Sequence, residues 1–447
     1  MPYISKENIL QFITSPMVKR SVGVLALNVT GLLLSLGLQI FLARSLDQEL
    51  FGAYQYLVAF LTAAVVVGTF GADGLAFRLI SQFRATNEIG LAKGVESYSV
   101  SLAWSSSIGL AVILFFLAEW LPNIFPNGVS EGLRVGVWVL PFLAVAMVYQ
   151  SIIAGCRASF LARIPDLIIR PVIFIGIFFL VAEGDFAAVS LNQMALILLA
   201  ATFLMLCIFA LFRLYVTRDL ADVRTYTVRE KEWQSQATGL FTISILTALI
   251  TQTDILLLGY LTGVDDVAVY SVAQKFSQFL LFGSFAVNLV SGPMLSGLNK
   301  IAGKREVLQS TVRTVAASYV IFAIPVAVLF FFGGNFLLGV FGAGYGEGFD
   351  ILLILSLGQF VAAIFGAAGF MLTISDLRKE MIAILMKVEL LNIFAILIFT
   401  SFWGAKGAAV ASAGAVVILN FWLALEVRRK LDLDTSFMGV LGLLCKH

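Results

Sequence analysis

The sequence predicts an all-α integral membrane protein, with twelve transmembrane helices arranged as two pseudo-twofold-related six-helix bundles around a central cavity. Three observations lead there: a composition that is 60% hydrophobic and only 13% charged, apolar runs of membrane-spanning length, and an internal repeat at an offset of 216 residues. A soluble domain carries about 25% charged residues. With 39 Phe in 447 residues and a mean hydropathy of +0.98, the chain has too little polar surface to coat a globule in water. A bilayer is the solvent that fits it.

Taken in order, the expected spans are 21–43, 51–72, 95–118, 133–154, 164–182, 191–212, 237–261, 267–292, 310–332, 349–372, 382–402 and 407–426. The run Val22 to Leu42 is longer than the apolar core of a signal peptide and has no A-x-A site at its end, so it reads as the first span. Ahead of it, residues 1–20 fit either a short interfacial helix or a frayed tail. Proline falls inside three spans, at Pro141, Pro171 and Pro325, and Pro293 closes the eighth; such kinks are common in membranes. The connecting segments leave no room for an extramembrane catalytic domain.

Charge orients the spans. Counting Arg313 and Arg134, each at the edge of its helix, with the adjoining links, 23 of the 29 Lys and Arg belong to alternate links and both ends, while Arg44, Arg134 and Lys406 belong to the other links. The positive-inside rule then places both termini in the cytoplasm. The largest link, 213–236, carries Arg213, Arg218, Arg224, Arg229 and Lys231 among four acids. It is expected to join an N-terminal six-helix lobe, 1–212, to a C-terminal one, 237–447.

The repeat supports that division. An offset of 216 carries Leu42 onto Leu258, Tyr54 onto Tyr270, Phe125 onto Phe341, Gly128 onto Gly344 and Glu131-Gly132 onto Glu347-Gly348. Six helices per repeat is an even number, so the two halves share one orientation, as in transporters built from parallel repeats.

Polar residues gather on single helix faces. Ser244, Thr247, Thr251 and Asp254 form one stripe; Asn28 and Gln39, Gln55 and Thr62, and Ser271, Gln274, Lys275 and Gln278 form others. Isolated Ser and Thr commonly bond their own backbone, whereas matching stripes in both halves point to a wet lumen. The expected cavity set is Lys275, Asn28, Gln39, Gln55, Gln274 and Gln278, with Arg20 at the cytoplasmic mouth. Charges within spans are costly and so mark function or pairing. Asp254 is expected either to pair with Lys275 or to stand beside it as a protonatable group, and Glu389 is the second candidate for ion coupling. Asp166 and Arg170 are spaced to pair, and Lys387 is the counterpart of Arg170 in the other half.

Several classes drop out. Cys156, Cys207 and Cys445 have no CxxC spacing, so neither a disulfide framework nor a zinc site is expected. The single histidine, His447, is terminal, which leaves little for acid–base catalysis. No metal, cofactor or nucleic-acid partner is expected; Asp254 and Glu389 leave room for coupling to a proton or sodium gradient.

The stretches Thr253-Asp254-Ile255-Leu256-Leu257-Leu258-Gly259-Tyr260 and Val267 to Lys275, the first-half counterpart Ala43-Arg44 through Phe51-Gly52-Ala53-Tyr54, and the step Gly407-Ala408-Ala409 resemble polysaccharide-transport proteins. The chain looks like a Wzx-type lipid-linked oligosaccharide flippase of the multidrug/oligosaccharidyl-lipid/polysaccharide (MOP) exporter superfamily. The resemblance implies export of an undecaprenyl-diphosphate-linked repeat unit, such as an O-antigen unit of lipopolysaccharide, across a bacterial cytoplasmic membrane. It also implies membrane lipids as partners, together with a polysaccharide polymerase and chain-length machinery. A multidrug or cation antiporter of the same superfamily is the alternative.

Overall fold

The computed structural model describes residues 16–221, 228–299, 305–375 and 377–437. Among these, the chain is helical, without strands. The helices are α1 (Pro16–Ser45), α2 (Gln48–Thr69), α3 (Ala72–Ala85), α4 (Ile89–Trp120), α5 (Val129–Gly136), α6 (Val139–Gly155), α7 (Arg170–Ala182), α8 (Leu191–Val216), α9 (Glu230–Thr262), α10 (Val264–Ser277), α11 (Phe279–Asn299), α12 (Arg305–Gly339), α13 (Phe349–Ile364), α14 (Ala368–Ile374) and α15 (Arg378–Leu431). Nine described helices are long and apolar enough to cross a bilayer, or ten when the bent pair α5 and α6 counts as one span.

The difference from twelve expected spans has local causes. The expected spans 382–402 and 407–426 both fall in α15, whose 54 residues would make a rod of about 80 Å if straight, against a hydrocarbon core of about 30 Å. Gly404 interrupts it with φ 57° and ψ −139°, a conformation that a side chain rarely tolerates. The expected eighth span is two helices that meet at Gln278, and the tenth is α13 and α14 separated by a turn at Gly366, φ +68°.

The chain divides into two compact units. The first comprises Met1–Asp47 and Leu57–Ala248, the second Gln48–Tyr56 and Leu249–His447. In the first unit, α3 is an element the apolar runs do not reveal, because it lies in a stretch expected to be a link. It is amphipathic, burying Leu75, Ala76, Leu79, Ile80 and Phe83 against a core that includes Val148, Ile152, Met205 and Phe209. Fourteen residues, about 21 Å of helix, are too few to span a bilayer alone. Trp233, at the start of α9, is fully buried in the same core and packs against Tyr98 with the ring planes tilted by 59° and the centroids 5.7 Å apart.

Both units show the repeat in three dimensions. Phe60 meets Phe125 edge-on at 5.6 Å in the first, and Phe276 meets Phe341 edge-on at 5.6 Å in the second. Both residues of the second pair stand 216 positions beyond those of the first. Large apolar side chains such as Phe332, Phe336, Phe402 and Leu180 face outward, as suits lipid rather than water.

A buried ion cluster closes one end of the first unit. Glu96, 1% exposed, accepts from Arg213 and sits 3.2 Å from Lys93, while the Arg213 guanidinium lies 5.0 Å over the Tyr149 ring. Nearby, Arg84 pairs with Asp219, and burial pushes the Cys156 thiol up to about 11.

Removing Glu96 strands two cations at a buried site, a loss of about 3–5 kcal/mol for a broken buried pair. Glu96→Ala is therefore expected to lower the thermal unfolding midpoint in detergent far more than Glu232→Ala, at an exposed i,i+3 pair; equal midpoints would contradict this. With Cys207 and Cys445 replaced by Ser, maleimide labelling of Cys156 should be slow at pH 7 and rise about tenfold per pH unit until the thiol titrates. Fast labelling at pH 7 would show that the thiol is not held protonated.

Candidate functional site

A cavity of about 590 Å³ lies within the second unit, lined from α9, α10, α11, α12, α13, α14 and α15. Its polar wall begins at Asp254, which is 5% exposed. Oδ2 of that carboxylate accepts from the Tyr270 hydroxyl at 2.8 Å and the Gln274 amide at 2.7 Å, and Oδ1 accepts from the Ile255 N–H at 2.9 Å. The helical spacing of Tyr270 and Gln274 puts both on one face of α10. The Tyr270 oxygen also lies 3.4 Å from Ser412 Oγ, so one buried phenol links α9, α10 and the second arm of α15.

Glu389 supplies the second acid, 4% exposed. Asn392, one turn on, donates to its Oε2 at 3.5 Å. Among the described residues, Glu389 Oε1 and Asn392 Oδ1 have no hydrogen-bond partner. Two acceptors turned into a buried polar space create a demand for a donor or a cation. Further around the wall, Tyr319 donates to Asn288, and Gln278, Gln359 and Asn420 add amides. Among the described lining residues there is no Lys or Arg, and no group of three or more His, Cys, Asp or Glu that could hold a metal occurs in the described chain. Chemically, the site can take up a proton or a monovalent cation at carboxylate oxygens.

Of the residues expected from the sequence, the structure brings Asp254, Gln274, Gln278 and Glu389 into this cavity, with Thr251 from the α9 stripe. Asp254 satisfies its oxygens with Tyr270, Gln274 and Ile255. Lys275 is half-buried and lies outside the lining set. Asn28 and Gln39 are half-buried on α1, and Gln55 is buried on α2; they lie outside it too. The side chain of Arg20 lies outside the described residues. Arg170 bonds Asp166 at 3.2 Å, and Lys387 is exposed, 5.4 Å over the Trp422 ring.

Tyr270 is a site residue that the sequence pattern does not mark. It was visible only as a match to Tyr54, because a tyrosine in an apolar run carries no charge to mark it. Ser412 and Asn420 lie in a stretch of small and apolar residues and gave no periodic signal.

Over residues 17–299 the chain matches the polysaccharide biosynthesis protein family. The chain belongs to that family. Among solved structures, it is similar to an inward-facing multidrug resistance MATE family transporter of the MOP superfamily, with TM-score 0.71 and 14% identity over 92% of this chain and 98% of that one. It is also similar to the lipid II flippase MurJ in an inward closed conformation, with TM-score 0.68 and 17% identity over 91% and 87%. A MOP superfamily transporter from Pyrococcus furiosus gives TM-score 0.64 and 14% identity over 93% and 95%. No curated protein matches by sequence. This family member therefore has the fold of the MOP transporters.

Asp254→Ala removes the acceptor of the Gln274 amide and leaves the Tyr270 hydroxyl only its longer contact with Ser412, at a cost of about 1–3 kcal/mol for a buried unsatisfied group. The expected result is a lower thermal midpoint for Asp254→Ala than for Gln278→Ala, whose parent side chain is exposed. Indistinguishable midpoints would mean that the carboxylate does not organise the site.

Proposed function

We propose that this family member is a flippase. It moves an undecaprenyl-diphosphate-linked oligosaccharide unit from the cytoplasmic to the periplasmic leaflet by alternating access, driven by a proton or sodium gradient. The observation that carries the reading is the match to the polysaccharide biosynthesis protein family over residues 17–299. The fold supports transport rather than catalysis, and a sugar headgroup suits walls rich in amides and hydroxyls. In this reading the protein sits in the bacterial cytoplasmic membrane with both termini inside, the orientation that the basic links favour. Its partners are membrane lipids and the polymerase and chain-length machinery that use its product.

Asp254 and Glu389 serve as the ion-coupling pair. A buried acid with an unsatisfied oxygen changes its environment sharply when a proton or cation arrives, and that difference can bias one conformation over another. Lys275, beside Gln274 on α10, is assigned to the diphosphate, because it is the cation within the α10 polar stripe.

One observation favours a second reading, a multidrug or cation antiporter: the described cavity wall holds two acids and no base. The two separate in proteoliposomes. A fluorescent lipid-linked oligosaccharide should cross in the presence of the protein while ethidium efflux stays at background; the opposite pattern would establish the antiporter.

In cells that depend on this chain for surface glycan, Lys275→Ala at matched expression should cut export about tenfold, and Lys275→Arg should largely retain it. A fully active Ala variant removes Lys275 from the substrate site. Asp254→Asn with Glu389→Gln should abolish the pH or sodium dependence of export; unchanged dependence would contradict their coupling role.

A further inference from the structure

A second cavity, of about 700 Å³, opens where Gln48 at the start of α2, Asp266 near the start of α10, the link between α12 and α13, and the Gly404 break in α15 come together. All of these belong to the second unit. The links involved are those that the charge pattern assigns to the outer face. No step of the transport reading uses this cavity.

Its walls combine three kinds of group. Trp403 offers an indole face, 60% exposed and braced against the Phe399 ring at 5.5 Å. Gln48 and Asn335 supply amides. The third kind is charge: Asp350 is paired with Lys406, while among the described residues Asp266 and Glu347 have no ion pair. Gly404 is what brings these groups together. With φ 57° and ψ −139° it breaks the helix at the wall, placing Trp403 and Lys406 on the cavity, and a Cβ there would stand 4.0 Å from Asp266 Oδ2.

An exposed tryptophan at a membrane surface is by itself an ordinary belt residue. An indole face beside amides and carboxylates in a polar hollow is different. Pyranose rings present an apolar C–H face that packs on an aromatic plane, and an equatorial rim of hydroxyls that donate in pairs to carboxylates and exchange hydrogen bonds with amides. The excess of acid over base also selects. A sugar bearing a carboxylate would meet Asp266 and Glu347 as like charges, whereas a neutral sugar or an amino sugar would not.

We propose that this cavity is a glycan subsite, which receives neutral or amino-sugar units of the cargo and excludes uronic-acid units. It deepens the flippase reading and rests on it for the identity of the cargo, but binding there is measured independently of transport.

The test uses the full chain in nanodiscs and saturation-transfer NMR with three probes: tri-N-acetylglucosamine, triglucosamine and trigalacturonic acid. The first two should receive saturation, with the third bound about tenfold more weakly or not at all. Trp403→Ala should abolish the signal and Trp403→Tyr should restore most of it, with thermal midpoints unchanged. The double variant Asp266→Asn, Glu347→Gln should narrow the gap between trigalacturonic acid and the neutral probe. Trigalacturonic acid bound as well as the neutral trimer by the unmodified chain, or an undiminished signal in Trp403→Ala, would overturn the proposal. If lipid-linked glycan crosses vesicles yet no probe signal depends on Trp403, the subsite falls and the flippase reading stands. If the probes bind as expected and no glycan crosses, the reverse holds.

Discussion

A carboxylate that is 5% exposed constrains every helix packed around it. Leaving Asp254 charged in such a place costs several kcal/mol unless donors surround it. The second unit supplies three: a phenol, a side-chain amide and a backbone N–H. Two come from the same face of α10, and the phenol reaches on to Ser412 in α15. The register of α9, α10 and α15 is thus fixed at one point, since a rotation of any of them would strand polar groups in an apolar bundle. Glu389 and Asn392 complete the constraint from the other side, with oxygens that the described residues do not satisfy.

A site organised in this way suits a protein that must respond to an ion. The fully bonded acid gives a fixed geometry, and the partly bonded one supplies the unmet demand. In the proposed coupling, binding of a proton or cation would change the balance between them, and an equilibrium shifts only as far as the ligand prefers one state over the other. The first unit is held differently. Its buried acid, Glu96, is neutralised by Lys93 and Arg213 at a bundle end, which suits a structural clamp more than a titrating site.

The fold was legible because lipid imposes a simple rule: a continuous apolar run of about 20 residues satisfies its backbone in the bilayer only as a helix, and charge gathers at its ends. The same rule hid α3, which is too short to span, and hid the breaks at Gln278, Gly366 and Gly404, which hydropathy averages over. The repeat was legible in Tyr54 and Tyr270 and in Phe125 and Phe341, and the structure extends it to Phe60 and Phe276. Within the site, Asp254, Glu389, Gln274 and Gln278 stood out because polar groups in spans are expensive. Lys275 stood out for the same reason, yet the cavity wall takes its neighbour Gln274, since one step along a helix turns a side chain by about 100°. Uncharged partners such as Tyr270, Ser412 and Asn420 were not legible, because nothing in their local sequence separates them from lipid-facing or packing residues.

In the proposed mechanism an ion bound at Asp254 and Glu389 drives passage of a lipid-linked glycan. The most direct measurement is translocation of a fluorescent lipid-linked oligosaccharide in proteoliposomes, with a proton or a sodium gradient imposed or collapsed. Net accumulation in one leaflet is expected under one of the two gradients, falling to simple equilibration when that gradient is collapsed. Equal translocation with and without either gradient would contradict it.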